Sequence, residues 1–106
     1  MKKEVIVLEQ AEAFLRTMPR EAQGRFRRIA AMLERDGFIF SPYGEKIEGR
    51  QNLFAIRLTQ GGNQRFFYCY DTGTKIYVLS GYEKKTEKIP MHELNYALEI
   101  KRRYGL

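Results

Sequence analysis

The sequence of 106 residues has very little of several residue types on which common functions depend. It contains one cysteine, Cys69, and one histidine, His92. A single cysteine excludes an internal disulfide and fits a reducing compartment, and one Cys with one His excludes a Cys/His zinc site. The longest apolar runs span only a few residues, which excludes a transmembrane helix, and MKKEVIVLEQ at the N-terminus lacks a signal-peptide cleavage site. These absences predict a cytoplasmic protein that does not enter a membrane.

Several motifs of nucleotide-binding and hydrolytic enzymes are also missing. There is no GxxxxGK[ST], no GxGxxG that opens a helix and no evident Ser–His–Asp spacing. The acidic residues are scattered, which makes a two-carboxylate metal site unexpected. We therefore expect no cofactor and no metal.

Positive charge is what the sequence has in excess. Lys and Arg number 19 against 13 Asp and Glu, which gives a formal net charge of +6. Residues 1–50 carry 10 basic and 8 acidic side chains, whereas residues 51–106 carry 9 and 5. A basic excess favours a polyanion or an acidic protein as partner.

Hydrophobic patterning predicts one α+β domain over residues 1–106, with the element order β-α-α-β-β-β-α. Apolar spacing predicts an N-terminal helical hairpin and a C-terminal helix, and short glycine-bearing turns predict an antiparallel sheet from the last three strands. Residues 41–51 are rich in turn formers and are predicted to be a loop. The predicted helices are 9–18, 20–35 and 91–104, and the predicted strands are 5–8, 53–59, 64–70 and 75–82.

Arginines within the predicted strands are the first candidate functional residues. Alternation places Arg57 away from the apolar face of its strand, and Arg65 away from the aromatic face of the next strand. A two-residue turn would set Arg57 opposite Phe66 and put the arginines on opposite faces. A three-residue loop would set Arg57 opposite Phe67 and put both on one face. We favour the three-residue loop because it directs the aromatic set towards the helices.

The stretch GYEKKTEKIP, residues 81–90, places Lys84, Lys85 and Lys88 directly after the third strand of this meander. Charge alone favours a solvated turn. Because hairpin neighbours lie about 5 Å apart, the arginines and lysines are expected to form one cationic pocket that holds a phosphate.

Four stretches resemble the RelE/HigB-like toxins of bacterial type II toxin–antitoxin pairs, especially their phage-derived HigB-like branch. That branch has an arginine ending one strand, an arginine opening the next, and an aromatic-x-Lys-Lys-Thr-x-Lys-x-Pro segment, here Arg57, Arg65 and residues 82–90. Two positions depart from it: Ala55 replaces a common glutamate, and Ser80 a common histidine. The similar stretches are LFAIRL, QRFFYCY, VLSGYEKKTEKIP and HELNYALEIKRRY.

The resemblance implies a RelE-like fold and a metal-independent endoribonuclease that cleaves messenger RNA in the ribosomal decoding site. A ribose 2′-hydroxyl attacks the adjacent phosphate and expels the 5′-oxygen of the next nucleotide. The resemblance also implies a cognate antitoxin, expected to be a helix-turn-helix DNA-binding protein. A same-fold inhibitor of DNA gyrase (ParE-like) and a non-enzymatic RNA-binding module are the alternatives.

The implied chemistry suggests roles for individual residues. Arg57 and Arg65 are fixed charges suited to the phosphorane, and Lys84 or Lys85 serves as the base or positions the phosphate. His92 is a further candidate for proton transfer, or else a surface histidine. The predicted RNA-binding residues are Tyr82, Thr86, Lys88, Arg102 and Arg103.

Each RNA-binding residue also has a simpler interpretation. Tyr82 is a core aromatic if it does not stack on a base, and Arg102 and Arg103 are helix-end charges if they do not touch phosphate. Arg27, Arg28 and Arg35 form a solvated helix face, or contact ribosomal RNA or the antitoxin. Cys69 is interpreted as a small buried hydrophobe.

Overall fold

A computed structural model describes residues 2–58 and 63–106. In these two ranges, three helices and a five-stranded sheet follow one another in the order β-α-α-β-β-β-β-α. The α+β class is confirmed, and the predicted order β-α-α-β-β-β-α is observed with one additional strand, β2. The elements are β1 (Glu4–Val7), α1 (Glu9–Arg16), α2 (Arg20–Asp36), β2 (Gly44–Lys46), β3 (Phe54–Arg57), β4 (Gln64–Tyr70), β5 (Lys75–Glu83) and α3 (Met91–Arg103).

Helices α1 and α2 form the predicted hairpin. Pro19 has a φ of −57° immediately before α2, which suits the entry to a helix. Gly37 ends α2 with a φ of 82°, a left-handed conformation that glycine adopts without steric cost. Within the described residues, no helix is both long and apolar enough to cross a membrane.

The sheet has the strand order β1-β5-β4-β3-β2 and is mixed, not purely antiparallel. Strand β1 pairs parallel with β5, and the long connection that a parallel pair requires is formed here by the helical hairpin together with β2, β3 and β4. The prediction that residues 41–51 are only a loop is wrong, because the short strand β2 lies within them. Three residues are too few to give a recognisable alternation, although they pair antiparallel with β3.

The register of β3 on β4 differs from both predicted alternatives. Arg57 lies directly opposite Arg65, not opposite Phe66 or Phe67. Directly opposed residues share a face, so the prediction that both arginines share one face is confirmed while its register is wrong. The predicted turn residues Gly61 and Gly62 lie outside the described residues.

Helices cover both faces of the sheet. One face packs on α1 and α2, and its buried core includes Leu15, Phe26, Leu33, Phe66 and Tyr68. The opposite face was predicted to carry the arginines, but most of it is apolar and packs on α3. Its buried core includes Leu53, Ala55, Phe67, Cys69, Leu79, Leu94, Ala97 and Ile100.

A β-bulge interrupts the pairing of β4 with β5. Phe67 pairs with Ser80, whereas Tyr68 pairs with Val78, so β5 contains one extra residue, Leu79. A bulge shifts the alternation of side chains beyond it. Tyr82 therefore lies on the α3 face beside Arg65, although simple alternation would place it with Val78 on the α1/α2 face.

Candidate functional site

Arg65, near the start of β4, is a charged residue with only 6% of its surface exposed. Its Nη1 donates a hydrogen bond to the carbonyl oxygen of Gln64 over 3.1 Å. Its buried Nε has no hydrogen-bond acceptor within the described residues. An unsatisfied buried donor costs free energy, so the burial of Arg65 is unfavourable unless a partner from outside the described residues satisfies it.

The surroundings of Arg65 are charged and partly desolvated. Burial lowers the pKa of Arg65, and the nearby Arg57 guanidinium lowers it further, whereas Glu45 opposes both effects. An arginine stays protonated despite such shifts. Two neighbouring guanidiniums therefore form a fixed positive charge at this end of the sheet.

Arg65 opens into a concavity of about 400 Å³, which we name the lysine cleft. The backbone N–H of Lys84 donates to the carbonyl oxygen of Asn63 over 2.7 Å, which joins the end of β5 to the start of β4. The structure thus brings together Arg65, Lys84, Lys85 and Thr86, four of the predicted site residues. The lining residues are Asn63, Arg65, Lys84, Lys85, Thr86 and Glu87.

Arg57 does not line the lysine cleft, although it lies directly opposite Arg65. It lines a second concavity, between α2 and the edge of the sheet. The backbone N–H of Arg57 donates to the carbonyl oxygen of Tyr43 over 2.8 Å, which fixes it at that edge. The predicted single cationic pocket is therefore two neighbouring clefts that meet at the Arg57/Arg65 pair.

Glu45 is a site residue that the sequence prediction missed. Its carboxylate lies 4.0 Å from Nε of Arg65, and its Cα pairs with Ala55 on the adjacent strand. Ala55 stands where the RelE/HigB-like resemblance leads us to expect a glutamate, so β2 supplies a carboxylate next to that position. Only the β2–β3 register reveals this, because Glu45 and Ala55 lie ten residues apart in the sequence.

Tyr82 supports the site from within the core. Its ring is 4% exposed and stacks on Phe67, with centroids 5.4 Å apart and planes inclined by 20°. Burial raises the pKa of Tyr82, and the positive charge of Arg65 opposes the rise. A buried ring cannot stack on an RNA base without rearrangement, so the core interpretation fits this geometry better.

His92 lies in the first turn of α3 with its side chain 80% exposed, and its Nε2 is 3.4 Å from the carboxylate of Glu93. It does not line the lysine cleft. Leu94, in the first turn of α3, nevertheless belongs to the same buried cluster as Tyr82, which pairs with Arg65, so α3 begins near the Arg65 end of the sheet.

Three other predicted RNA-binding residues do not line the lysine cleft. Lys88 has an exposed side chain, and its carbonyl oxygen accepts a hydrogen bond from the Thr86 hydroxyl over 2.8 Å. Arg102 and Arg103 end α3, and Gly105 and Leu106, which follow them, line a concavity with Tyr70 and Asp71 at the end of β4. They therefore lie towards the opposite end of β4 from Arg65.

The donor set of the site suits anions better than cations. Within residues 2–58 and 63–106, no three His, Cys, Asp or Glu side chains are grouped closely enough to hold a metal ion. Guanidinium and ammonium groups bind phosphate oxygens through charge-assisted hydrogen bonds. The lysine cleft can therefore bind a phosphate group and stabilise negative charge that develops on it.

The chain belongs to the family described as Phage derived protein Gp49-like (DUF891), whose model matches residues 13–102. This agrees with the phage-derived branch to which the sequence resemblance pointed. No curated protein matches the chain by sequence.

Solved structures of RelE toxins share the fold. A mutant of Escherichia coli toxin RelE in the free state matches with a TM-score of 0.73 at 15% identity, over 93% of this chain and 97% of that chain. The RelE chain matched in the archaeal RelE–RelB complex from Pyrococcus horikoshii gives 0.67 at 21% identity, over 80% and 98%. The Mycobacterium tuberculosis toxin–antitoxin complex RelBE2 gives 0.60 at 19% identity, over 79% and 100%. The fold of this chain is therefore RelE-like.

Proposed function

We propose that this protein is the toxin of a type II toxin–antitoxin pair and acts as a ribosome-dependent messenger RNA endoribonuclease without a metal. The observation that carries the proposal is the lysine cleft on a RelE-like fold. In it, a buried arginine with unused donors faces two lysines. The phage-derived family and the fold of RelE toxins support the same function.

The proposed reaction needs no group beyond the RNA and the side chains of the site. The 2′-oxygen of one nucleotide forms a bond to the adjacent phosphorus, and the bond from phosphorus to the 5′-oxygen of the next nucleotide breaks. The products are a 2′,3′-cyclic phosphate and a 5′-hydroxyl. Lys84 or Lys85 accepts the 2′-proton or positions the phosphate, and a general acid returns a proton to the 5′-oxygen.

Arg65 is the group we assign to the phosphorane. Its guanidinium is held by the Gln64 carbonyl and faces Glu45, so it is already oriented before RNA binds. Preorganised donors stabilise developing charge without the reorganisation that water requires. Arg57 adds a second fixed charge across the strand pair, and His92 remains the candidate proton donor because α3 begins near the same end of the sheet.

The proposed partners are messenger RNA in the decoding site and a cognate antitoxin, expected to carry a helix-turn-helix. The matched chains come from the P. horikoshii RelE–RelB complex and the M. tuberculosis toxin–antitoxin complex RelBE2, which supports a protein partner for a chain of this fold. An antitoxin that covers the lysine cleft would compete with RNA for the same cations.

A cell-free bacterial translation reaction tests the proposal. The protein is added with and without ribosomes, and the 5′ ends of the message are mapped by primer extension. Cuts inside codons that require ribosomes are the expected result. Intact message together with loss of DNA supercoiling by gyrase would reject cleavage in favour of gyrase inhibition, and RNA binding without either effect would favour a binding module.

A further inference from the structure

The concavity that Arg57 lines contains three arginines and no acidic residue. It has a volume of about 190 Å³ and lies between α2 and the edge of the sheet; we name it the arginine cleft. Arg25 and Arg28 reach it from α2, Tyr43 precedes β2, and Arg57 ends β3. The rest of its wall is apolar and consists of Ile29, Met32 and Leu58.

The three guanidiniums of the arginine cleft are not neutralised by the described part of the chain. None of them lies within 4.0 Å of a described carboxylate, although other arginines, such as Arg35 with Asp36, form ion pairs. The Nε atoms of Arg25 and Arg57 are buried without a hydrogen-bond acceptor among the described residues. Clustered, unpaired guanidiniums with buried free donors are suited to a bound anion.

The arginine cleft adjoins the lysine cleft. Arg57 and Arg65 are directly opposed on neighbouring strands, whose backbones lie about 4.8 Å apart. A polyanion held at Arg65 therefore has Arg57, a lining residue of the arginine cleft, as its neighbour across the strand pair.

We propose that the arginine cleft binds the nucleotide next to the scissile phosphate, with its phosphate on Arg25, Arg28 and Arg57 and its base against Tyr43. The proposal rests on the proposed function and deepens it. Tyr43 is 41% exposed, so its ring offers a face for stacking. A single-stranded RNA supplies both phosphates, which guanidiniums bind, and flat bases, which pack against an apolar wall. The arginine cleft offers both kinds of surface. An acidic peptide would match the charge but would leave the continuity with the lysine cleft unexplained.

The test measures how much affinity the full-length protein gains when an RNA is lengthened. The probes are fluorescein-labelled, fully 2′-O-methylated RNAs of two and five nucleotides, which cannot be cleaved because the attacking hydroxyl is blocked. The variants are R25Q/R28Q and the matched control R16Q/R20Q, which removes the same charge from exposed positions outside both clefts. Fluorescence anisotropy over a salt series gives the dissociation constants.

The five-nucleotide RNA is expected to bind wild type and R16Q/R20Q about tenfold more tightly than the two-nucleotide RNA, as for one charge-assisted hydrogen bond. In R25Q/R28Q this gain should fall below about threefold, and the salt slope should fall by about 0.7 for each phosphate that the variant no longer binds. Arg28→Gln alone should remove part of the gain in affinity with RNA length. Because Arg28 is exposed, this variant is expected to fold, so the test remains possible if the double variant unfolds.

Two results would overturn the proposal. The first is a gain with length that persists in both R25Q/R28Q and Arg28→Gln, or that falls equally in R16Q/R20Q, in which case net charge explains it. The second is that R25Q/R28Q binds a glutamate-rich peptide more weakly than wild type but still gains affinity normally for the longer RNA. That result would identify the arginine cleft as a peptide site. Intact message in the translation reaction would reject the proposed cleavage activity but not the proposed role of the arginine cleft. The gain in affinity with RNA length is measured with RNA that cannot be cleaved.

Discussion

Arg65 and Cys69 lie four residues apart on the same face of β4, in opposite environments. Around Cys69, α3 covers the sheet with apolar side chains, and burial raises the pKa of the thiol to about 11. Around Arg65 the cover is open at the lysine cleft, and the neighbours are Arg57, Glu45 and Lys84. One strand thus supplies the core at one end and the candidate site at the other.

The difference shows how a small fold holds a cationic site on a rigid base. Phe67 lies between the two ends and stacks on Tyr82, which pairs with Arg65 in the register. The arginine is therefore fixed by a packed aromatic layer on one side and exposed to an incoming anion on the other. Sites built on strands hold their geometry better than sites on loops.

Removing the positive charge of Arg65, at the open end of β4, is expected to reduce activity more than any other change. Arg65→Ala should lower message cleavage about 10²- to 10³-fold, as for removal of one preorganised donor, and it should abolish growth arrest. Primer extension and growth curves measure the two effects. Arg20→Ala, at an exposed position at the start of α2, is the control and should cleave normally.

The Arg65 variant must still fold for this comparison to hold. Its thermal unfolding midpoint and its affinity for the antitoxin should stay close to those of wild type. Undiminished growth arrest in a folded Arg65→Ala protein would reject the assigned site.

The second prediction concerns Gly81, which precedes Tyr82 on β5 and pairs with Phe66. A Cβ on Gly81 would lie 2.5 Å from Cδ2 of Phe14 and 2.7 Å from Cε2 of Phe66. Gly81→Ala should therefore lower the free energy of unfolding by about 1–3 kcal/mol, as overpacking does. Urea denaturation measures the change.

Gly73→Ala is the matched control for that glycine. Its added Cβ would meet Asp71 Oδ1 at 3.7 Å, an ordinary contact, so its effect should stay within about 0.5 kcal/mol. Equal effects of the two substitutions would show that Phe14 and Phe66 pack less tightly around Gly81 than described.

A smaller effect is expected from Glu45, which contacts Arg65 from β2. Glu45→Gln keeps the shape but removes the charge, and it should lower kcat about two- to fivefold because a half-exposed ion pair contributes little. KM should fall as well, because the substitution removes a negative charge near the RNA phosphate. A drop in kcat beyond about 100-fold would instead identify Glu45 as the proton acceptor.

The smallest effect is expected at the covered end of β4. Cys69→Ala should leave cleavage unchanged. In the folded protein at pH 8, alkylation of Cys69 by iodoacetamide should be at least about a hundredfold slower than in urea, because its pKa of about 11 lies two units above the ordinary 9.0. Mass spectrometry follows the modification, and rapid labelling of the native protein would show that α3 does not cover this end.

The sequence predicted the strands of the meander well because their apolar alternation is strong. The predicted strand 64–70 matches β4 in both bounds, and the predicted helix 20–35 differs from α2 by one residue. The sequence also identified Arg65, Lys84, Lys85 and Thr86, which the fold gathers at the lysine cleft. Their roles in catalysis and RNA binding stay predictions.

Glu45 and the arginine cleft were beyond the reach of the sequence. Strand β2 has three residues, too few for a period. Arg25 and Arg57 lie more than thirty residues apart in the chain, and only the packing of α2 against the edge of β3 brings them to one cleft. Such contacts depend on how elements dock, which no local pattern encodes.

Local periodicity and composition are enough to establish which residues alternate, which segments form helices and where positive charge accumulates. Which charges come together depends on how the strands and helices pair and pack. The β3–β4 register set Arg57 against Arg65, and the extra residue Leu79 turned Tyr82 to the side of Arg65. A shift of one residue in a strand exchanges its two faces, so the site depends on pairing between strands that the order of residues does not reveal.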